Sequence, residues 1–168
     1  MQNKLYAQFA SIMMAVCLRY ARSRQDAEEI LQEGFVKVFT YLKQYKFKGP
    51  LEGWIKRIMI NCALQRLRHK RPLYSVAQFD DAAEEFVDKS VALENLNAKE
   101  LIQLVQNLPI MCRLVFNLHV FEGMKHREIA GLLNISEGTS KSNLHDARVL
   151  LQGWLEEKVT FVSINAGA

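Results

Sequence analysis

Apolar residues recur at steps of three and four along most of the chain, the spacing of a helix with one buried face. The first run ends before residues 23–25, and a second run follows Asp26, which forms a capping-box pattern with Glu29. The buried positions predicted for these two helices are Leu5, Phe9, Ile12, Met13, Val16 and Tyr20 in the first, and Leu31, Phe35, Val38 and Leu42 in the second.

A third helix is predicted to begin near Leu51 and to end before Pro72, since the preceding Lys48-Gly49-Pro50 is a turn signal. The helical repeat places four of its apolar residues on one side, which we expect to be buried. These residues are Leu51, Ile55, Ile58 and Cys62.

Residues 72–95 have weak apolar periodicity and carry six acidic residues against one lysine, which is typical of a linker. Helical periodicity resumes at Leu96, is broken at Pro109, and is found again in 111–123, 125–133 and 137–155. No strand-like alternation of useful length occurs. We therefore predict an all-α chain of two small helical domains joined by an acidic linker. The predicted boundaries are 1–71, a linker at 72–95, a second domain at 96–157 and a tail at 158–168.

Composition excludes several classes of protein. The three cysteines are odd in number and widely spaced, with no CxxC pair, so neither a disulfide framework nor a zinc site is predicted. Each cysteine lies in an apolar run and is expected in the core. No apolar stretch approaches the roughly 20 residues that span a bilayer, and the first residues lack a signal-peptide pattern. We expect a cytoplasmic protein without membrane insertion, cofactor or metal.

The segment 56–71 carries six Lys or Arg residues and no acidic residue. Its helical spacing places Arg57, Asn61 and Arg68 on one stripe with Gln65 beside them. Lys and Arg neutralise phosphates, whereas Asn and Gln offer the paired donor and acceptor that base edges require. The alternatives are a solvated basic face and a membrane-surface helix. The nearby aromatic residues are of a kind that stacks on unpaired bases, and core packing is the alternative, for Trp54 in particular. They are Tyr45, Phe47 and Trp54.

Residues 127–148 have the spacing of a helix-turn-helix. Ala130 falls where the two helices would cross, Asn134 tolerates the left-handed conformation of the turn, and Ser136 can cap the second helix. In this motif the second helix enters the major groove by its N-terminal end. The residues expected to face DNA are Thr139, Lys141, Ser142 and His145. The alternative is an ordinary helical hairpin.

Three segments resemble, in order, parts of the bacterial sigma-70 family, and of its small extracytoplasmic-function (ECF) group in particular. Residues 26–39 resemble the polymerase-binding part of region 2, and residues 47–72 resemble its promoter-melting and −10-reading parts. Residues 108–148 resemble region 4, which reads the −35 element. The larger central domain of the family is absent, as it is in the ECF group.

The resemblance implies a transcription initiation factor and not an enzyme. Such a protein binds core RNA polymerase, with region 2 on the largest subunit and region 4 also docked, directs it to promoter DNA and helps to open the duplex. An anti-sigma factor is a family-level expectation. The residues that the resemblance assigns are Asp26, Glu29, Gln32 and Glu33 for polymerase, Asn61 and the loop Tyr45 to Gly49 for a flipped −10 base, and Ser136, Thr139, Lys141, Ser142, His145 and Arg148 for the −35 element.

The chain departs from the family pattern in two places. Lys46, Phe47 and Lys48 stand where Arg, Gly and Asp are common, so the base preferred in that loop cannot be carried over. In the recognition helix Ser140 replaces a frequent apolar residue, while Asn143 and Asp146 replace frequent basic ones. The −35 sequence therefore cannot be carried over either.

Two other classes stay open on the residues alone. A stand-alone helix-turn-helix regulator with a sensing or dimerisation domain would bind operators unaided, but it has no use for the acid-free basic helix. An all-α nuclease needs convergent acids for Mg²⁺. Here the acids lie in the second helix and the linker, and the four histidines are scattered along the chain.

Overall fold

The structure, a computed structural model, describes residues 2–46, 48–69 and 98–166. These residues form helices joined by short turns, with no strand among them, and they divide into two compact units, Met1–Val87 and Asp88–Ala168. The prediction of an all-α chain with two small helical domains is confirmed. The acidic linker predicted at 72–95 lies outside the described residues.

The first unit is a three-helix bundle in which every helix packs against the other two. Its helices are α1 (Gln2–Tyr20), α2 (Arg24–Tyr41) and α3 (Leu51–His69), and a single 3-10 turn, Leu42–Gln44, follows α2. The large side chains that are fully buried at its centre are Met13, Tyr20, Ile30, Val38, Ile55 and Met59. They come from all three helices, so the core is shared equally among them.

The predicted buried stripes are correct at their centres and wrong at their edges. Ile12 is 46% exposed, because the neighbouring Met13 occupies the position that points into the bundle. Leu42 lies in the 3-10 turn and is half-buried, since α2 has already ended. In the other two helices Leu5, Leu51 and Ile58 are also half-buried. The core side of α3 instead runs through Ile55, Met59 and Cys62.

Helices α2 and α3 approach each other most closely at Gly34. A Cβ atom on Gly34 would lie 2.2 Å from Sδ of Met59, far inside van der Waals contact. The absence of a side chain at Gly34 therefore makes room for the buried thioether of Met59.

The start of α2 differs from the predicted capping box of Asp26 and Glu29. Ser23 is the N-cap, and its side-chain oxygen accepts a hydrogen bond from the backbone N–H of Asp26 at 3.1 Å. Asp26 accepts in turn from the backbone N–H of Arg22 at 3.2 Å. The helix thus begins three residues earlier than predicted, because serine is as good a cap as aspartate and the acid is better placed in the first turn.

The described part of the second unit, residues 98–166, contains four helices, with the last helix packed against the other three. They are α4 (Ala98–Asn107), α5 (Ile110–Phe116), α6 (His126–Leu133) and α7 (Glu137–Ala166), and α5 runs into a π-helical segment, Asn117–Phe121. Gly123, with φ 68°, ends that segment as predicted. The backbone of α7 stays helical to Ala166, so the predicted tail at 158–168 is largely a continuation of this helix.

All three cysteines are buried, as predicted. Burial raises the pKa of each thiol because it disfavours the thiolate, and the pKa of Cys17 rises to about 12. Neutral, buried thiols behave as small core residues.

Candidate nucleic-acid interface

The first candidate surface is the stripe on α3 formed by Arg57, Asn61 and Gln65. These residues are four apart, so they are neighbours along one face of the helix. Arg57 and Asn61 are half-buried and Gln65 is exposed. Arg68 lies in the last turn of α3, and its side chain is outside the described ones. The predicted grouping of a guanidinium with two amides is therefore present on one face.

Gln65 is held in place by a lysine from α2. Lys37 Nζ donates to Gln65 Oε1 at 2.8 Å and to Glu33 Oε1 at 3.0 Å. Partial burial lowers the pKa of Lys37, but its hydrogen bond to Glu33 and its interactions with Cys62 and the Glu33 charge together outweigh burial, so the pKa is raised. The bond from Lys37 uses one of the two lone pairs of the Gln65 amide oxygen, and the amide nitrogen keeps its donor capacity. The bond to Lys37 therefore fixes the orientation of the Gln65 amide and occupies part of its acceptor capacity.

Arg66 connects the basic helix to the acids of α2. Its Nε donates to Asp26 Oδ1 at 3.0 Å, and its Nη2 contacts Glu29 Oε2. Two of the predicted polymerase-binding acids are therefore paired within the chain, while Gln32 is exposed on the same helix. The sequence analysis did not assign a role to Arg66. The signal was its spacing, because Arg66 follows Met59 and Cys62 on the core side of α3, where a charged residue needs a partner.

The loop before α3 is closed by Tyr45. The hydroxyl of Tyr45 donates to the carbonyl oxygen of Gly49 at 2.5 Å, and its ring packs on Trp54 with centroids 5.4 Å apart. Gly49 has φ 97°, which only glycine adopts without strain. Lys46 and Lys48 are exposed, whereas Phe47 lies outside the described residues. Tyr45 and Trp54 thus contact each other, and Trp54 is half-buried in its own domain.

The second candidate surface is the helix-turn-helix of α6 and α7, and its predicted turn is confirmed. Asn134 has φ 54° and ψ 50°, the left-handed conformation. Its N–H and that of Ile135 both bond to the carbonyl of Ala130, the latter at 3.0 Å. Ser136 Oγ accepts from the N–H of Thr139 at 3.0 Å and so caps α7, as predicted.

The first turns of α7 expose an ordered set of polar side chains. Lys141, His145 and Arg148 follow one another at steps of four and three, so they form one solvent-facing stripe. Ser142 lies beside it and donates to the carbonyl of Thr139 at 3.2 Å. The hydroxyl of Thr139 is hydrogen-bonded to Ser136 at 2.8 Å. This stripe can contact phosphates and base edges at once.

Ser140 faces the opposite way. It is fully buried, and its Oγ lies 2.9 Å from Nδ1 of His126 at the start of α6. The ring of His126 stacks on that of His119 with centroids 4.6 Å apart and 13° between the planes. The view of the histidines as scattered is therefore wrong for this pair, which the bend after the π-helical segment brings together. Among the described residues no cluster of three metal-ligating side chains exists.

Each of the two units matches a different region of one protein family. Residues 5–72 match Sigma-70 region 2, and residues 98–151 match Sigma-70, region 4. The chain belongs to the sigma-70 family, in its ECF group. This sigma factor binds core RNA polymerase, directs it to specific promoters and helps to open DNA for transcription initiation.

Curated relatives agree with the family. The chain is 28% identical over 149 residues to the RNA polymerase sigma-H factor of Pseudomonas aeruginosa, covering 81% of this chain and 76% of that protein. It is 27% identical over 157 residues to the ECF RNA polymerase sigma factor SigW of Bacillus subtilis, covering 84% and 82%. The ECF sigma factor SigE of Mycolicibacterium smegmatis is also 27% identical over 157 residues, but this sigma factor spans only 61% of that protein.

A solved structure shares the fold. The sigma factor RpoE of Bartonella quintana, crystallised with the anti-sigma factor NepR, matches with a TM-score of 0.55 and 16% identity. The match covers 92% of this sigma factor and 96% of that chain. Among the described residues, no helix combines the length and the apolarity that a membrane crossing requires.

Proposed function

We propose that the three surfaces of this sigma factor divide the work of initiation. The α3 stripe and the loop 45–49 hold the opened −10 strand, α7 reads the −35 element, and α2 docks on the largest subunit of core polymerase. The observation that carries this division is the pair of polar stripes in two different units, half-buried to exposed on α3 and exposed on α7. Each unit is too small to supply the interface of a tight specific DNA complex alone.

The −10 assignment rests on the amides of α3 and the closed loop. Asn61 offers hydrogen bonds to the edge of an unpaired base, and Arg57, Arg68 and the exposed lysines offer contacts to phosphate. Flipping a base costs a few kcal/mol of unstacking, so a preformed pocket lowers the cost of opening. The Tyr45 to Gly49 hydrogen bond supports such a preformed loop. The proposed −10 residues are Tyr45, Lys46, Phe47, Lys48, Trp54, Arg57, Asn61, Gln65 and Arg68.

The polymerase assignment is refined by the internal ion pairs. The side chain of Asp26 is only 12% exposed and accepts a hydrogen bond from the backbone N–H of Arg22, just before α2, so it supports the docking surface from behind. The side chains of Glu29 and Glu33 stay 44% and 41% exposed although each is paired, and Gln32 is open to solvent. We propose that Glu29, Gln32 and Glu33 contact the partner and that Asp26 positions them.

The −35 assignment follows the order of residues along α7. Ser142 and His145 lie near the N-terminal end, which enters the groove, and Arg148 lies one turn further, where phosphate is nearer. Lys141 belongs to the same exposed stripe, and Ser136 and Thr139 stand at the very start of the helix.

In vitro transcription by reconstituted holoenzyme across a library with a randomised −35 element tests this order. His145→Ala or Ser142→Ala should change the preferred bases, each base contact being worth roughly 1–3 kcal/mol. Arg148→Ala should weaken all promoters alike and flatten the salt dependence.

The remaining expectations are carried as proposals. We infer that this sigma factor acts in the cytoplasm, where polymerase works, without a catalytic role of its own. An anti-sigma factor is a proposed partner, as NepR is for the Bartonella protein of the same fold. The proposed boundaries remain 1–71, 72–95, 96–157 and 158–168.

The proposal as a whole is tested by footprinting with and without polymerase. Tagged protein expressed in its own bacterium should co-purify with the polymerase subunits, and the purified protein alone should bind duplex DNA weakly and without sequence preference. Core polymerase should add the specificity. A tight, sequence-specific footprint by the purified protein without polymerase would instead favour a stand-alone helix-turn-helix regulator.

The role of Asn61 needs its own test. Asn61→Ala should leave co-purification with polymerase nearly intact and reduce promoter opening, followed by the permanganate reactivity of unpaired thymines. Glu29→Ala is the matched control with the opposite expected result, because it should weaken polymerase binding. If Asn61→Ala abolished co-purification, the residue would belong to the polymerase surface and not to the DNA surface.

A further inference from the structure

The recognition helix contains a fully buried polar side chain, which cannot face DNA. Ser140 is fully buried in the second unit, where a hydroxyl without a hydrogen-bond partner is costly. Its Oγ lies 2.9 Å from Nδ1 of His126. His126 stands at the first position of α6, so this bond ties the two helices of the helix-turn-helix together close to the turn between them.

His126 is in turn fixed from the other side by His119. The two rings are stacked, 4.6 Å apart and nearly parallel. Nδ1 of His119 lies 2.9 Å from the carbonyl oxygen of Met124, so this nitrogen must carry the proton and donate. The donor role of His119 fixes its ring, and the stack fixes the plane of His126. The position of Nδ1 opposite Ser140 is thereby determined by groups outside α7.

The surroundings of His126 disfavour its charged form. Loss of solvent lowers the pKa of His126, and the nearby His119, Lys141 and Arg148 lower it further, while Glu137 opposes them. These are the titratable and charged groups that face His126 from the π-helical segment and from α7. A protonated ring would stand against three basic groups and one acidic group.

We propose that His126 is a positioning residue for promoter recognition, which holds α7 in place through Ser140 and does so best in its neutral form. The neutral Nδ1 can accept a hydrogen bond from the buried Ser140 hydroxyl. Protonated Nδ1 can only donate, so the Ser140 oxygen must then accept from it, and the hydroxyl proton must turn to another acceptor in the buried site. This inference rests on the proposed use of α7 to read the −35 element.

The direction of the pH effect follows from the lowered pKa of His126. Because the pKa of His126 in the folded protein lies below the ordinary 6.5, the stabilising contribution of the neutral ring is complete above pH 6.5. This contribution is lost as the pH falls through the pKa of the folded protein. Use of −35-dependent promoters should therefore decline on mild acidification.

A double-mutant cycle in holoenzyme tests the proposal. His126→Phe keeps an aromatic ring on His119 but removes the acceptor, and Ser140→Ala removes the hydroxyl without overfilling the core. Reconstituted holoenzymes carrying the full chain, either single variant or the double variant transcribe the randomised −35 library at several pH values from about 8 down to about 5. Ser142→Ala is included as a variant whose effect should be on base preference.

The expected result is coupling between His126 and Ser140, together with a loss in the double variant of the pH dependence that His126 confers. His126→Phe alone should lower transcription about fivefold at pH near 8, the order expected for one buried hydrogen bond, and it should cost much less when Ser140 is already alanine. The ratio of native to double-variant transcription should fall on acidification. Dividing by the double variant removes the pH response of polymerase itself.

Two outcomes would overturn the inference. One is additivity, in which the double variant is as weak as the product of the two single effects. The other is a ratio of native to double variant that stays constant with pH. An unchanged base profile for Ser142→Ala would count instead against the proposed reading by α7, so the two failures are distinguishable.

Discussion

Arg66 Nε donates to Asp26 Oδ1 at 3.0 Å, and this bond joins α3 to the first turn of α2. The other carboxylate oxygen of Asp26 accepts from the backbone N–H of Arg22 at 3.2 Å. One carboxylate therefore stabilises the start of its own helix and orients the basic helix beside it. This arrangement couples the surface proposed for polymerase to the surface proposed for the −10 strand.

We expect Arg66→Ala to destabilise the first unit by about 1–2 kcal/mol, because the side chains of Arg66 and Asp26 are only 27% and 12% exposed. Arg24→Ala is the matched control. Its pair with Glu28 is 82% and 48% exposed, so its loss should cost at most about 0.5 kcal/mol. Urea denaturation followed by Trp54 fluorescence in a Trp154→Phe background reports the first unit. Equal effects of the two variants would show that the Arg66 pair contributes no more than a surface pair.

Gly34 offers a test of the close approach of α2 and α3. Gly34→Ala should cost about 1–3 kcal/mol, since the new methyl group overlaps the buried side chain of Met59, which must move. In Gly53→Ala the new methyl group meets only Pro50 Cγ at 3.7 Å, an ordinary contact. That variant should gain about 0.5–1 kcal/mol from helix propensity. The same fluorescence assay applies, and stabilisation by Gly34→Ala would show that Met59 repacks without cost.

Asn134 tests the turn of the helix-turn-helix. Asn134→Gly should leave the second unit within about 0.5 kcal/mol of its native stability, whereas Asn134→Val should cost about 1–2 kcal/mol, because a β-branched residue is strained at φ 54°. Trp154 fluorescence in a Trp54→Phe background follows the unfolding of this unit. Tolerance of valine would mean that the turn changes conformation, and −35 base preference should then change with it.

The thiols give a prediction on reactivity and alkaline stability. In the native protein Cys17, Cys62 and Cys112 should react slowly with an aromatic disulfide reagent, and all three should react at once after denaturation. Burial raises the pKa of Cys17 from 9.0 to about 12, so its stabilising contribution is complete below pH 9.0 and is lost as the pH rises towards 12. Alkaline unfolding of Cys17→Ala should therefore be less steep than that of the native chain. Fast reaction of the native Cys17 thiol would contradict its burial.

Features that depend on neighbouring residues were predictable from the sequence. The left-handed Asn134 and the Ser136 cap follow from the backbone chemistry of a few consecutive residues. The burial of Cys17, Cys62 and Cys112 follows from apolar periodicity, as do the helices themselves. The family resemblance extended this local information to residue roles, which stay proposals. The error at Ile12 arises where two adjacent residues compete for one buried position. The error in the cap of α2 arises because Ser23 and Asp26, three residues apart, are both good capping residues.

The tertiary structure decided which polar side chains meet across the fold. The bonds of Arg66 to Asp26, Lys37 to Gln65 and His126 to Ser140 join residues 40, 28 and 14 positions apart. Such partners depend on the angle and register at which helices pack, and helix periodicity fixes neither. The sequence by itself therefore determined the helices, the local turn and the polar stripes of α3 and α7. Packing alone determined that Lys37 orients the Gln65 amide, that Asp26 is paired with Arg66, and that Ser140 lies against His126 in the interior of the second unit.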